Sequence, residues 1–304
     1  MTLSIATFNV KNLLEPTSDA ARAVLPAKLA WLAKALATCD ADVVGLQEIG
    51  SGELLGRLLE RLDRGGGYHA PVLGTVDARG IGCALLSRLP VVGSRVHTCA
   101  ALPFPVFREG DPPPFGARLP LRRGVVQARV EAEGIGAVDV FVAHFKSPRP
   151  VWARDGSGAE QRPASACARA EGQLRSLVHR AAEAIFVRGV VDEVLAARPD
   201  ACVAAIGDLN DEPASWAVRA LRSDGDGALL DASEGIPAER RFTCLHGGRR
   251  IQIDHVLVSG SLHCRIVGAR IHNEALREHE PLPQTGDETP TADSDHAPLV
   301  VRFG

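Results

Sequence analysis

Two apolar runs that end in acidic residues constrain the fold of this chain more than any other feature. The first, ADVVGLQE, covers residues 41–48, and the second, ACVAAIGDLND, covers residues 201–211. Continuous apolar runs of this length are typical of strands that are buried on both faces. Helical patterns flank both runs, over residues 26–38, 52–62, 169–196 and 214–221. The alternation predicts an α/β fold. The similarity between the two helix–strand–helix units could arise by chance in any α/β chain.

Further strands and loops complete the predicted order of elements. Strands are predicted at 3–10, 250–259 and 295–303, a hairpin-type strand pair at 80–92 and a hairpin at 124–145. Loops are expected at 102–120, 147–168 and 274–293. Pro26 is expected in the first turn of the helix over 26–38, where its missing N–H does no harm.

Composition narrows the function classes. The net charge is −3 and the pI about 6.4, so the chain lacks the overall basic character of nucleic-acid-binding domains. Local arginines or a bound cation could still hold a phosphate. Aromatic residues make up 4% of the chain, which disfavours a surface on which the bases of single-stranded nucleic acid stack. The seven cysteines form no C-x-x-C pair, so buried thiols fit better than disulfides or a zinc site.

Two absences in the sequence predict a location. No run of about 20 apolar residues is present, which a membrane-spanning helix would need. A strand is predicted from residue 3 onward, which leaves no room for a signal peptide. A cytoplasmic protein is therefore expected, and no obligate protein partner is indicated.

Polar side chains end most of the predicted strands. Acids are costly to bury alone, and several acids at one sheet edge would repel each other. Mg²⁺ relieves that repulsion, because it prefers carboxylate oxygens and keeps waters that phosphate oxygens can replace. The pattern therefore predicts metal-assisted phosphoester hydrolysis. The residues concerned are Asn9, Glu48, His144, Asp208, Asn210, Asp254, Asp295 and His296.

Several of these residues also have an ordinary structural explanation. Glu48 could begin the next helix, where an acid suits the helix dipole. Asp208 and Asn210 could cap the helix that follows them. His144 alone would more often be a core histidine, and His255 is assigned to the core because it alternates away from its acidic neighbour. The ordered set, rather than any single residue, supports the metal site.

Seven motifs in order resemble those of the endonuclease/exonuclease/phosphatase superfamily, and in particular its deoxyribonuclease-like members. The motifs are TFNVKNLL, VVGLQE, CALLSRLPV, VAHFKS, IGDLNDEP, IDHVLVS and SDHAPLVV. The resemblance covers residues 5–301. It implies a single domain over residues 1–304, built as a four-layer α/β/β/α sandwich of two mixed β-sheets with outer helices.

The resemblance also implies a role for each polar strand end. Glu48 would be the principal Mg²⁺ ligand, with Mn²⁺ as another ion that fits. Asn9 would lie beside it and help to hold the metal or the phosphate, and Asp295 would be a second carboxylate on the metal side. Asp208 would orient or deprotonate the attacking water. Contacts with the phosphate or its leaving group are implied for Asn210, for His144, for His296 as oriented by Asp254, and for Lys146 and Arg169.

Residue 11 departs from the family pattern. Some members carry an oxygen-bearing side chain two residues after the first-motif asparagine, whereas this chain has Lys11. A lysine cannot ligate Mg²⁺, which argues against a second metal ion there. Lys11 is expected to point to solvent, with a phosphate contact as the alternative.

The leading functional hypothesis is a Mg²⁺-dependent, nuclease-like phosphodiesterase that cleaves DNA or RNA by in-line attack of water. The alternative is a phosphatase or phospholipase that acts on a small-molecule or lipid phosphoester. A catalytically silent binding protein on the same fold would be expected to lack Glu48, Asp208 or His296, and all three are present. Arginines near the motifs, such as Arg122 and Arg123, are either ordinary surface residues or contacts for a polyanion.

Overall fold

The computed structural model describes residues 2–69, 71–102, 119–153, 156–157, 159–161, 163–279 and 290–304. Its strands are β1 (Leu3–Leu13), β2 (Val43–Ile49), β3 (Val72–Leu73), β4 (Gly82–Ser87), β5 (Val91–His97), β6 (Val125–Ala132), β7 (Gly136–His144), β8 (Cys202–Asp208), β9 (Leu229–Asp231), β10 (Cys244–His246), β11 (Arg249–Ile251), β12 (Asp254–Ser259), β13 (Ile266–Ile271) and β14 (Leu299–Phe303). Its helices are α1 (Asp19–Cys39), α2 (Gly52–Leu59), α3 (Ala166–Ala197), α4 (Trp216–Arg222) and α5 (Gly260–His263), with short 3₁₀ turns at Asp63–Gly67 and Ala238–Arg240.

The strands form two mixed six-stranded sheets and a separate two-stranded ribbon. The first sheet has the order β13-β14-β1-β2-β4-β3, and the second has the order β5-β6-β7-β8-β12-β9. Each sheet contains one parallel pair at its centre, β1 with β2 and β7 with β8, while its other pairs are antiparallel. The C-terminal ends of these parallel pairs carry polar residues that the sequence analysis assigns to the candidate site.

Three apolar clusters hold four layers together. Val140 and Ile206 belong to the cluster between the two sheets. Leu29 of α1 belongs to the cluster that joins α1 and α2 to the first sheet. Val187 of α3 and Val218 of α4 belong to the cluster that joins these helices to the second sheet. This arrangement confirms the predicted α/β/β/α sandwich, whereas the single domain over 1–304 stays a prediction.

Gly45 allows the two sheets to approach closely beside the site. A Cβ atom at this position would lie 2.7 Å from Cδ1 of Ile206 and 2.9 Å from Cγ2 of Val142 on the opposite sheet. Any larger residue would push the sheets apart, because interiors are packed without spare volume. The close approach brings the end of β2 near the ends of β7 and β8.

The predicted hairpin at 80–92 is wrong, whereas the hairpin at 124–145 is confirmed by the pairing of β6 with β7. Two strands do form in the first segment, but β4 pairs with β2 and β3 while β5 pairs with β6 in the other sheet. The physical reason is burial. Every residue of β4 is buried, whereas β5 is largely exposed, so the two strands occupy different environments.

Several predicted boundaries also need correction. Helix α1 begins at Asp19, with the Ser18 hydroxyl accepting a hydrogen bond from the Ala21 N–H, so Pro26 lies inside the helix rather than in its first turn. The predicted strand 250–259 is divided between β11 and β12, and the last strand begins only at Leu299. The residues 295 and 296 therefore precede the strand that was expected to contain them.

Parts of the three predicted loops lie outside the described residues, namely 103–118, 154–155, 158, 162 and 280–289. Within the described part of the chain, no helix is long and apolar enough to cross a membrane. All seven cysteines are free, and four of them are buried, namely Cys39, Cys83, Cys202 and Cys244.

Candidate active site

Three predicted site residues lie side by side across the second sheet. Asp208, the last residue of β8, is in register with His144 at the end of β7 and with Asp254 at the start of β12. All three side chains are at least 94% buried. Adjacent strands of a sheet lie about 5 Å apart, so this register alone brings the three polar groups together.

Unusual backbone geometry at the ends of β2 and β8 directs Glu48 and Asp208 toward the site. Gly207 has a φ of 145°, and a Cβ atom there would lie 1.8 Å from the carbonyl oxygen of Ala143. Only glycine fits this position. Glu48 and Asn210 have φ values of 66° and 52°, in the left-handed region that costs about 1–3 kcal/mol for most residues. Such strain is typical of functional sites, where the surrounding fold holds it in place.

Asp254 and His296 form a buried hydrogen-bonded pair. Nδ1 of His296 lies 2.8 Å from Oδ2 of Asp254, which is fully buried. The backbone N–H of His296 donates to Oγ of Ser294 at 3.0 Å, and that hydroxyl donates to the carbonyl oxygen of Asn9 at 2.8 Å. Burial alone would lower the pKa of His296, but the charge and hydrogen bond of Asp254 raise it well above its ordinary value. The imidazole is therefore held charged and in one orientation.

Asp208 lies at the centre of this arrangement. Its Oδ2 is 2.9 Å from Nδ2 of Asn9, 3.5 Å from Nε2 of His144 and 4.0 Å from Nε2 of His296. Its Oδ1 accepts the N–H of Asn210 at 2.8 Å. Burial raises the pKa of Asp208 to about 7, against the charge of His296, which lowers it. A carboxylate with this pKa can accept a proton near neutral pH.

His144 stays neutral beside Asp208. Burial, followed by the nearby charges of Arg123 and His296, lowers the pKa of His144 well below its ordinary value. Its Nδ1 is buried and has no hydrogen-bond partner among the described residues. A neutral imidazole can donate one hydrogen bond through a single ring nitrogen, so His144 can contact a phosphoryl or leaving-group oxygen.

Asn9 links Asp208 to Glu48 across the two sheets. Nδ2 of Asn9 donates to Oε1 of Glu48 at 3.3 Å as well as to Asp208, while its Oδ1 accepts the N–H of Lys11 at 2.9 Å. The other Glu48 oxygen accepts the N–H of Asn12 at 2.7 Å. Asn9 thus presents its NH₂ group to the site, and that group orients the two carboxylates but cannot ligate a cation.

Two places at the site could hold a metal ion. Asp208, Asp254 and His296 place one ligand atom each within 4.8 Å of one another. In that set, however, Asp254 accepts a 2.8 Å hydrogen bond from Nδ1 of His296 and holds the ring charged, so neither ring nitrogen has a free lone pair for an ion. Glu48, which faces Asp208 through Asn9, offers carboxylate oxygens on the opposite side. Hard divalent cations prefer such oxygen ligands, so the residues fit a divalent metal on the Glu48 side.

Comparison with known families decides the identity of the fold. A sequence profile of the endonuclease/exonuclease/phosphatase family matches residues 6–296. The chain belongs to this family. Its members are in general divalent-metal-dependent hydrolases of phosphoesters. No curated protein matches the chain in sequence.

Solved structures of family members share the fold at low sequence identity. TDP2 from Caenorhabditis elegans, in truncated form, is 17% identical with a TM-score of 0.61, covering 99% of this chain and 97% of that chain. A mannosyl-6-phosphatase from Bacteroides thetaiotaomicron is 20% identical with a TM-score of 0.61 and 98% coverage of both chains. TDP2 from D. rerio, complexed with a single-strand DNA product, is 19% identical with a TM-score of 0.57, covering 100% of this chain and 99% of that chain. These likenesses show the shared fold.

In this family member, Lys11 does not point to solvent, and that expectation is wrong. Its Nζ lies 2.9 Å from Oδ2 of Asp295 and also contacts Nδ1 of His279. The side chains of Lys11 and Asp295 are 18% and 25% exposed. Burial would raise the pKa of Asp295, but the charges of His296 and Lys11 keep it below its ordinary value. Asp295 is therefore an ionised partner of Lys11.

Lys28 is a site residue that the sequence analysis missed. It lies on the buried face of α1, and its Nζ donates to the carbonyl oxygens of Thr291 at 3.3 Å and Asp293 at 3.5 Å. Burial lowers the pKa of Lys28 to about 8, whereas the nearby Glu48 raises it. The signal was available, because a lysine at the position expected for a core residue of an amphipathic helix is unusual.

Lys146 and Arg169, the predicted phosphate contacts, differ in their environments. Lys146 is 5% exposed, and its Nζ donates to the carbonyl oxygens of Ser147 and Arg149, both at 2.7 Å. Burial, followed by nearby arginine charges, lowers the pKa of Lys146 to about 8. Arg169 is exposed in the first turn of α3, and no described hydrogen bond or ion pair joins its side chain to the other site residues.

Two buried arginines hold the loop that follows β7. Nη1 of Arg123 donates to the carbonyl oxygens of His144 at 3.2 Å and Phe145 at 3.0 Å. Nη1 of Arg180 donates to the carbonyl oxygen of Lys146 at 3.1 Å. Arg123 and Arg180 are each 6% exposed, so Arg123 is neither a surface residue nor an exposed contact for a polyanion. Arg123 instead fixes the backbone of His144, and Arg180 fixes that of Lys146.

Proposed function

We propose that this protein is a divalent-metal-dependent phosphodiesterase that hydrolyses its substrate by in-line attack of water. The observation that carries the proposal is the position of Asp208. Its carboxylate lies between a neutral histidine and the charged His296–Asp254 pair, and Asn9 connects it to Glu48. A proton acceptor, a proton donor and a metal-binding carboxylate therefore surround one small volume, as phosphoester hydrolysis requires.

Asp208 is the proposed general base. With a pKa of about 7, it is ionised in roughly half of the molecules at neutral pH and can take a proton from water. Its Oδ1 accepts the Asn210 N–H and its Oδ2 accepts the Asn9 NH₂ group, so the water would use the second lone pair of Oδ2. Asn210 donates its own Nδ2 hydrogen to the carbonyl oxygen of Phe145 at 3.1 Å, and its proposed phosphate contact would use the second hydrogen of that group.

His296 is the proposed donor to a phosphoryl oxygen. Asp254 occupies Nδ1, so Nε2 carries a hydrogen toward the side on which Asp208 lies. A charged imidazole in this position stabilises the negative charge that develops on the phosphoryl group. His144 is proposed to stabilise the same transition state or the leaving group as a neutral hydrogen-bond donor.

Glu48 is the proposed ligand of the metal, which is Mg²⁺ or Mn²⁺. When bound, the ion would offset charge on the phosphoryl oxygens as a Lewis acid. Asn9 and the N–H of Asn12 hold the two Glu48 oxygens in place. This support fixes the carboxylate before any substrate arrives, which lowers the cost of binding.

The choice of a phosphodiester over a phosphomonoester follows from one of the fold neighbours. D. rerio TDP2, with its single-strand DNA product, is a fold neighbour that supports a nucleic-acid substrate. A phosphatase is the second candidate, because the mannosyl-6-phosphatase of Bacteroides thetaiotaomicron also shares the fold, with a TM-score of 0.61 against 0.57 for that TDP2.

A cytoplasmic location and a single domain complete the proposal. The seven free cysteines fit a reducing compartment, where thiols are stable. The apolar cluster between the sheets includes residues from Leu3 to Phe303, which supports one folding unit.

The test compares bis(p-nitrophenyl) phosphate with p-nitrophenyl phosphate as substrates, each with Mg²⁺, Mn²⁺ or EDTA. We expect turnover of the diester that EDTA abolishes and added metal restores. Turnover of the monoester alone would assign the protein to the phosphatases. Equal turnover with and without EDTA would contradict metal dependence.

A further inference from the structure

We propose that Thr243 is a positioning residue that fixes Asp254 and His296 relative to each other and so aims the imidazole at the phosphoryl group. The inference rests on the proposed function, because His296 is the donor proposed there. Asp254 and His296 are 42 residues apart in the chain, so no local structure brings them together. Asp254 begins β12, whereas His296 precedes β14 of the other sheet. Thr243 contacts both segments.

The side chain of Thr243 holds the backbone at the start of β12. Its Oγ1 accepts the N–H groups of Ile253 and Asp254, both at 3.1 Å. Among the described strands, β9 pairs with β12 only from Leu257 to Ser259, so β12 begins with a strand on the β8 side alone. The hydroxyl supplies an acceptor at that point. Because threonine is β-branched and its χ1 is restricted, the direction of this oxygen is well defined.

The main chain of Thr243 holds the segment that carries His296. Its carbonyl oxygen accepts the N–H of Ala297 at 2.7 Å, and the next residue, Cys244, forms a β-bridge with His296. The N–H of Thr243 donates to the carbonyl oxygen of Ile251 at 2.9 Å, which ties it to the ribbon of β10 and β11. Thr243 is fully buried, so water does not compete for these hydrogen bonds. One residue therefore connects the two halves of the pair.

The carboxylate of Asp254 depends on this support, because it has few contacts of its own. Its Oδ2 accepts the hydrogen bond from Nδ1 of His296, while its Oδ1 is buried and has no hydrogen-bond partner among the described residues. A movement of the Asp254 backbone would therefore move the imidazole relative to Asp208, whose Oδ2 lies 4.0 Å from Nε2. A displacement of about 1 Å at a reacting group can cost roughly 100-fold in rate.

The test compares Thr243→Val, which removes the hydroxyl at nearly constant shape, with Thr243→Ser, which keeps it. Ser259→Ala is the matched control, because Ser259 ends β12 and its buried hydroxyl accepts the N–H of Val203 at 3.0 Å. Removing either hydroxyl should lower the melting temperature, because a buried N–H loses its acceptor. Only Thr243→Val should also lower kcat for bis(p-nitrophenyl) phosphate with Mg²⁺, by about 10–100-fold. KM should change little, and Thr243→Ser should restore kcat.

A second readout does not require turnover. In the ¹H NMR spectrum of the protein with Mg²⁺, the proton on Nδ1 of His296 should give a downfield resonance, which is assigned by its loss in His296→Gln. We expect this resonance in the wild type, in Ser259→Ala and in Thr243→Ser. In Thr243→Val it should shift upfield or disappear. If Thr243→Val does not fold, Thr243→Ala replaces it with the same expectations.

Three results would overturn the inference. They are a kcat of Thr243→Val equal to that of Ser259→Ala, a His296 resonance in Thr243→Val equal to that of the wild type, and the absence of this resonance from the wild type. The two proposals can fail separately. A wild type that hydrolyses no diester would refute the proposed function, and the resonance would then decide this inference alone. Metal-dependent turnover with equal kcat in the two variants would refute this inference alone.

Discussion

Replacing Asp208 with asparagine should stabilise the metal-free protein while it removes activity. The folded-state pKa of Asp208 is about 7, above its ordinary value of 3.8, with burial as the main cause. A group whose pKa is raised on folding contributes stability that is complete at low pH and is lost as the pH rises through the folded value. Ionised Asp208 therefore opposes folding at pH 8, and the neutral asparagine does not.

The size of the effect follows from the two pKa values. Each unit of pKa is worth about 1.4 kcal/mol, so ionised Asp208 destabilises the metal-free protein by about 4 kcal/mol at pH 8 as an upper limit. Part of that cost is already present at pH 5. The stability gained by Asp208→Asn should therefore grow by roughly 2–3 kcal/mol between pH 5 and pH 8. For a chain of this length, that corresponds to a difference in melting temperature of about 4 °C.

The assay is thermal unfolding followed by circular dichroism in EDTA, at several pH values between 5 and 8. Metal must be absent, because a bound cation would itself offset the charge of Asp208. As the pH rises, the melting temperature of the wild type should fall relative to that of Asp208→Asn. A difference in melting temperature that does not change with pH, or that changes in the opposite direction, would refute the assignment of a raised pKa to Asp208.

Three further predictions follow from the site and its support. Replacing Asp254 with asparagine removes the partner that, against burial, raises the pKa of His296. We therefore expect kcat to fall at least about 100-fold and the alkaline limb of the pH–rate profile to move to lower pH. An unchanged pH–rate profile would count against the His296–Asp254 pair. The wild-type rate should rise with pH through about 7 as Asp208 ionises, and a rate already constant from pH 5 would argue against Asp208 as the base. Gly207→Ala should destabilise the fold by at least about 3 kcal/mol, because its Cβ would lie 1.8 Å from a backbone oxygen. The control Gly189→Ala should be tolerated, because its Cβ would have nothing within 4 Å. Equal melting temperatures of the two variants would contradict the close contact at Gly207.

Much of the fold and of the candidate site could be predicted because both depend on local patterns. The runs that became β2 and β8 are continuous and apolar, and buried parallel strands need that composition. The polar residues that follow each run are visible as breaks in the pattern. Once strand order is known, register brings His144, Asp208 and Asp254 together without further information.

The remaining features depend on long-range packing that the sequence pattern does not encode. The separation of β4 and β5 into different sheets is decided by burial across the whole sandwich, and a short Arg-Leu-Pro connection looks the same in either case. Lys11 finds Asp295 across 284 residues of chain, and Arg123 finds Phe145 through a buried guanidinium. Such partners become visible only when the fold is assembled.

The most direct test of the proposed mechanism is the initial rate of bis(p-nitrophenyl) phosphate hydrolysis with Mn²⁺ and with EDTA. It compares the wild type, Asp208→Asn and the control Asp226→Asn, which changes an exposed acid in the turn before β9. We predict metal-dependent turnover in the wild type and in the control, and a loss of at least about 1,000-fold in Asp208→Asn. Metal-dependent turnover that survives in Asp208→Asn at the wild-type rate would contradict the central role of this carboxylate.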